Sequence, residues 1–118
     1  AEGMVVVPGF IDVHTHCDRG IPRVPTGDNY IMQGVTTVIG GNCGGHPFPL
    51  SELFGELEKQ RHSLNFGCLV GHNTIRRQVM EYRMAPPTPA ELQKMQEAGK
   101  SIICKMEVGS FVPVPKTT

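Results

Sequence analysis

No apolar run in this 118-residue sequence approaches the roughly 20 residues that a bilayer-spanning helix needs. The longest apolar stretches, such as Met4–Val7 and Thr37–Ile39, are the length of a strand. No basic region followed by an apolar stretch opens the chain, so no secretory leader is read in a sequence that begins at Ala1. Neither charge is in surplus. Lys+Arg and Asp+Glu number 11 each, which removes the electrostatic footprint of a nucleic-acid or anionic-membrane binder. The adjacent Arg76 and Arg77 read as solvated surface. Cys17, Cys43, Cys68 and Cys104 are scattered, form no C-x-x-C pair and build no dense disulfide framework. A reduced, cytoplasmic chain with one functional thiol is expected. Histidine is absent after His72, and Glu107 is the only acid beyond Glu97.

What is present is ordinary for a globular domain, with 39% hydrophobic and 19% charged residues. Met4–Val7 is a short β-branched run broken by Pro8-Gly9, and Phe10–His16 reads as a buried strand. Cys17–Thr26 is a loop with Gly20, Pro22 and Pro25. Asp28 is placed to cap a short helix over Asn29–Gln33 that Gly34 ends. Val35–Gly40 is the second strand. Ser51 can cap a helix reaching Arg61, with Leu53, Phe54 and Leu57 at helical spacing. Leu64–Val70 is a third strand, followed by a helical turn or two over Thr74–Met80. Thr88-Pro89-Ala90-Glu91 is a capping box opening a helix expected to stop at Gly99, before a fourth strand over Ser101–Val108.

Strand and helix alternate, which points to a parallel α/β sheet. No linker divides residues 1–118, and residues 1–8 read as the end of a preceding β segment. A complete (β/α)₈ barrel takes about 250 residues, so the chain has room for the first half of one.

The strongest chemical signal is Pro8-Gly9-Phe10-Ile11-Asp12-Val13-His14-Thr15-His16. Residues two apart in a strand share a face, so His14 and His16 project together with Asp12 in phase. Two imidazoles at a strand's carboxyl end can grip one divalent ion, and nitrogen donors suit Zn²⁺. Asp12 is placed to orient one of them, as metal-bound imidazoles require. Cys43 follows the second strand between glycines, on the same edge of the sheet. From spacing alone it is equally a metal-held thiolate or a small buried hydrophobe. Cys68 reads as core, Cys17 as structural, and His46 and His62 as surface or loop.

Pro-Gly-Phe-Ile-Asp-x-His-x-His resembles the first-strand signature of the amidohydrolase superfamily. Gln33-Gly34-Val35-Thr36-Thr37 leading to Gly41-Asn42-Cys43-Gly44 resembles its N-acyl-D-amino-acid deacylase branch. Val70-Gly71-His72-Asn73-Thr74-Ile75-Arg76 is similar to a third stretch of that family, with Asn73 where glycine is usual and left-handed backbone is tolerated.

The resemblance implies a TIM-like metal-dependent hydrolase barrel, incomplete in this chain. It implies one or two Zn²⁺ per complete site, with His14, His16 and Cys43 as ligands. Cys43 would stand where many relatives use a carboxylated lysine. His72 would lie beside the substrate or the ligands. The implied reaction is hydrolysis of an N-acyl-D-amino acid to a D-amino acid and a carboxylate. The general base is expected beyond Thr118, so the chain alone should be inactive. A cyclic amidohydrolase of dihydroorotase or hydantoinase type, a non-catalytic metal-binding module and an unstable fragment are the alternatives. Oligomeric state is left open.

Overall fold

The computed structural model describes residues 2–105, with side chains through residue 102. Val35, Thr36, Thr37, Val38 and Ile39 are β-branched in succession and form the centre of its sheet, β2 (Val35–Gly40). It pairs in parallel with β1 (Phe10–Asp12) on one side and β3 (Asn65–Cys68) on the other. The register sets Ile11 against Thr37 and Asp12 against Val38, then Val38 against Phe66 and Gly40 against Cys68. Parallel pairing requires crossovers, and helices supply them. α1 (Asp28–Ile31) and α2 (Leu50–Lys59) lie in the two crossovers, and α3 (His72–Met80) and α4 (Pro89–Lys105) follow β3. No helix among the described residues is long and apolar enough to cross a membrane.

Leu50, Leu53, Phe54 and Leu57 recur at three- and four-residue spacing, which puts them on one face of α2. All four are buried in one core with Val38, Leu64 and Phe66. The Phe54 and Phe66 rings lie 5.9 Å apart. A second cluster joins Ile75 and Met80 to Met95, with Ala98 and Ile102 packed against it.

That second cluster explains the largest departure from expectation. α4 continues through Gly99, and Ser101–Lys105 is helical, not the start of a fourth strand; residues 106–108 of that predicted strand lie outside the described residues. Met95, Ala98 and Ile102 fall on one helical face and meet Ile75, so tertiary packing outweighs the glycine as a stop signal.

β1 is also shorter and more open than predicted. It ends at Asp12, leaving His14 and His16 beyond it, and Phe10 and Ile11 are 60% and 62% exposed. Among the described residues it pairs on one edge only, which leaves its other edge unpaired. Met4–Val7 forms no strand and is exposed. At α1 the residue before the helix is Gly27, at φ 54°, where a Cβ would meet Leu64 Cδ1 at 2.5 Å. Asp28 is therefore inside the helix, not its cap.

The capping box of α4 is formed as read. The Glu91 N–H donates to the Thr88 hydroxyl at 3.3 Å, and the Thr88 N–H donates to the Glu91 carboxylate at 2.8 Å. The Thr88 backbone and hydroxyl, helped by the Arg83 guanidinium, hold the Glu91 carboxyl down at about 2 against an ordinary 4.5. Thr88→Ala is expected to lower stability by about 1 kcal/mol in urea denaturation. Because the folded value lies below the unfolded one, the cap contributes fully above pH 4.5 and is lost as pH falls towards 2. Melting temperatures across that range should show a slope that Glu91→Gln removes.

Candidate metal centre

The three strands are parallel, so their carboxyl ends open on one edge of the sheet, where sites in α/β folds are built. Three segments meet there: residues 13–18 after β1, 41–46 after β2 and 69–73 after β3.

Thr15 anchors the first segment. Its side chain is buried, its N–H donates to the Ile39 carbonyl at 3.1 Å, and its hydroxyl donates to the same oxygen at 2.9 Å. With that proton committed, the Cys17 thiol, 2.8 Å away, donates to the Thr15 oxygen. Burial pushes the Cys17 thiol up, and it packs in the core with Ile21 and Val38. His14 and His16, on either side of the buried Thr15, are exposed. The alternation predicted for a strand therefore survives past the strand's end. Asp12 is not placed as an imidazole partner: its carboxylate accepts the His14 backbone N–H at 3.1 Å and shapes the turn.

Asn42 anchors the second segment, a role its place in the sequence motif did not reveal. Its amide donates to the Ile39 carbonyl at 2.9 Å and to the Thr15 carbonyl at 3.2 Å, tying the end of β2 to the end of β1. Cys43 then takes φ 55°, a left-handed conformation rare outside glycine, between Gly41 at 75° and Gly44 at 76°. That costs roughly 1–2 kcal/mol for a residue with a Cβ. Strain of this kind persists where the surroundings over-determine it.

The result is a three-donor cluster. Donor atoms of His14, His16 and Cys43 lie within 4.8 Å of one another, and all three residues are exposed. Cys43 Sγ is 3.5 Å from His14 Nε2. Zinc bonds of about 2.0–2.1 Å to nitrogen and about 2.3 Å to sulfur, at a tetrahedral angle, set those atoms roughly 3.6 Å apart. The observed separation matches that edge, so the donor set fits a divalent ion of borderline softness. A cleft of about 310 Å³ opens beside it, lined by His16, Asp18, Arg19, Asn42, Cys43 and Gly45.

The third segment carries His72, the first residue of α3, which is exposed and outside the three-donor cluster. Its neighbour Asn73 is helical, with no left-handed backbone. Its amide donates to the Cys43 carbonyl at 3.2 Å, which explains an amide side chain at that position better than backbone tolerance does. Gly71 makes this approach close: a Cβ there would lie 2.3 Å from the Gly44 carbonyl oxygen.

Two histidines read as surface or loop residues lie in loops but are buried there. His62 is 5% exposed, and its Nδ1 donates to the Leu64 carbonyl at 2.7 Å. His46 is 4% exposed, and its Nδ1 accepts the Gly71 N–H at 2.8 Å. Burial lowers the His46 pKa, with the Asp18 charge opposing. Cys68 is half-buried, and burial pushes its thiol up to about 12, which suits a structural residue.

The sequence pattern of the amidohydrolase family matches residues 1–85. D-aminoacylase of Alcaligenes xylosoxydans xylosoxydans is 33% identical, taking in 95% of this chain and 29% of that protein. A D-aminoacylase structure concerned with its binuclear metal centre superposes with a TM-score of 0.74 and 32% identity, over 82% of this chain and 25% of that one. N-acyl-D-glutamate deacylase from Bordetella bronchiseptica, complexed with zinc and a phosphonate mimic of the reaction's tetrahedral intermediate, gives a TM-score of 0.71 and 36% identity, over 81% and 25%. The chain thus spans about a quarter to three-tenths of the length of these relatives.

Gly71→Ala should force the strand end away from Gly44 and cost about 1–3 kcal/mol, read from the urea midpoint. The lowered His46 value has a second consequence. The unfolded chain takes up that proton first, so this contribution to stability is complete above pH 6.5 and declines as pH falls below it. Urea midpoints measured downward from neutral pH should fall, and His46→Asn should flatten that part of the profile.

Proposed function

This chain belongs to the amidohydrolase family, and from that premise we propose that it is the first metal-binding part of a longer enzyme that hydrolyses N-acyl-D-amino acids. The observation that carries the reading is the cluster of His14, His16 and Cys43 at the carboxyl ends of adjacent parallel strands, with sulfur and nitrogen 3.5 Å apart. A cysteine in that position favours the linear-amide branch over the cyclic amidohydrolases, and the D-aminoacylase and N-acyl-D-glutamate deacylase likenesses point the same way.

In this reading His14, His16 and Cys43 hold one zinc ion or share two, inside a TIM-like barrel that later strands complete. A divalent ion bound there supplies Lewis-acid polarisation of the amide carbonyl and makes water more acidic. The chain's own residues hold and orient. Thr15 and Asn42 fix the spacing of the ligands through the Ile39 carbonyl, and Asp12 fixes the backbone that carries His14. His72, which opens α3 beyond β3, is assigned to the substrate side of the same edge. Water adds to the amide carbon, the carbon–nitrogen bond breaks, and the nitrogen leaves with a proton as the D-amino acid. The base that takes the proton from water is placed outside these 118 residues, so the chain alone is expected to be silent. A reducing, cytoplasmic setting belongs to the same reading, since Cys43 must stay a free thiol to serve as a ligand.

The full-length protein should release D-amino acids from N-acetyl-D-amino acids, lose that activity to a chelator and regain it with zinc. Equal turnover of L-substrates or of cyclic ureides would sink the assignment. Cys43→Ala should weaken zinc binding by more than the roughly 100-fold that loss of a residue supporting a ligand costs.

A further inference from the structure

His46 is an unexpected residue to bury. Its Nδ1 accepts the Gly71 N–H at 2.8 Å, so in the neutral ring the proton sits on Nε2. That Nε2 is buried and has no hydrogen-bond partner among the described residues. An unsatisfied donor costs about 1–3 kcal/mol, whereas an apolar ring of similar size would fill the space without that penalty. What an apolar ring could not do is accept the Gly71 N–H.

The loop shows why that bond matters. Cys43 lies between two anchors. On its amino-terminal side Asn42 is held by the Ile39 and Thr15 carbonyls. On its carboxyl-terminal side come Gly44 and Gly45, the residues with most conformational freedom to lose. The next side chain is His46. Its imidazole binds the end of β3, its N–H donates to the Thr74 hydroxyl at 3.0 Å, and that hydroxyl donates back to the His46 carbonyl at 3.1 Å. The Asn73 amide on the Cys43 carbonyl and the Thr74 N–H on the Gly44 carbonyl, both at 3.2 Å, depend on the loop lying against α3.

We infer that His46 is a positioning residue for the Cys43 thiol. Its imidazole latches the glycine-flanked loop to Gly71 at the end of β3 and so holds Cys43 in the left-handed conformation that presents sulfur to His14. The inference rests on the reading of Cys43 as a metal ligand, and adds to it which residue keeps that ligand in place.

The test is cobalt(II) titration of the full-length protein, read by the thiolate-to-cobalt charge-transfer band. Far-UV circular dichroism checks that each variant is folded. His46→Ala and His46→Phe should each weaken cobalt binding roughly 10- to 100-fold and reduce the thiolate band, as expected for loss of a residue that supports a ligand. His46→Asn, which keeps an acceptor near the Nδ1 position, should recover most of the affinity. If His46→Phe binds as tightly as the unaltered protein with a full band, the side chain only fills space and the inference is wrong. Should the His46 variants fail to fold, Thr74→Val removes the hydroxyl that clasps the His46 backbone and must likewise weaken the band; an undiminished band overturns the latch. Cys43→Ser separates the two levels. An unaltered protein with no thiolate band, indistinguishable from Cys43→Ser, removes Cys43 from the ligand set. A band lost in Cys43→Ser but untouched by the His46 and Thr74 substitutions removes only the latch.

Discussion

One carbonyl oxygen, that of Ile39, organises the carboxyl edge of this sheet. It accepts the Thr15 N–H, the Thr15 hydroxyl and the Asn42 amide, at 3.1, 2.9 and 2.9 Å. Two of these donors come from the segment after β1 and one from the segment after β2. The oxygen therefore sets the distance between the segment that carries His14 and His16 and the segment that carries Cys43. Three donors on one acceptor are over-determined, and over-determination is what allows a non-glycine residue nearby to sit at positive φ. The donor cluster is thus a consequence of how two strand ends are stitched, with His14, His16 and Cys43 left exposed and Cys43 Sγ 3.5 Å from His14 Nε2.

A second tier of contacts comes from β3 and α3. Gly71 permits backbone to lie against backbone at Gly44, and Asn73, Thr74 and the His46 imidazole then close the gap with hydrogen bonds. Each strand end has one job. The first supplies two imidazoles, the second supplies the thiol, and the third supplies the bed on which the thiol's loop rests. Glycines at 41, 44 and 71 make the close approaches feasible, and the polar side chains among them restrict the freedom those glycines would otherwise leave.

The remainder of the described chain is more open. Phe10, Ile11, Val13 and Leu69 are half or more exposed, and the sheet has three strands with β1 and β3 at its edges. A parallel sheet is stable when covered on both faces and closed or protected at its edges. The related enzymes, of which this chain matches about a quarter to three-tenths, have the additional length to provide both. Exposure at these positions agrees with the proposal that the chain works as part of a larger barrel.

Features that depend on neighbours in the chain were legible in the sequence. The Thr88–Glu91 box is a local motif and formed as read. β2 followed from consecutive β-branched residues between glycines, and His14 and His16 came out together on the exposed side of the buried Thr15. Features that depend on distant partners were not legible. Gly99 looked like a helix stop because the packing of Met95, Ala98 and Ile102 on Ile75 is invisible in local propensity. His46 is a loop histidine as read, but its burial was not legible because its acceptor function is defined by Gly71, 25 positions away. Asp12 looked like a partner for an imidazole, but the turn after β1 gave its carboxylate a backbone N–H instead. The sequence by itself determined which donors this protein has and which strand ends carry them, since residue type and periodicity are local properties. Only the tertiary structure decided what holds those donors together, because that depends on hydrogen bonds between strand ends far apart in the chain.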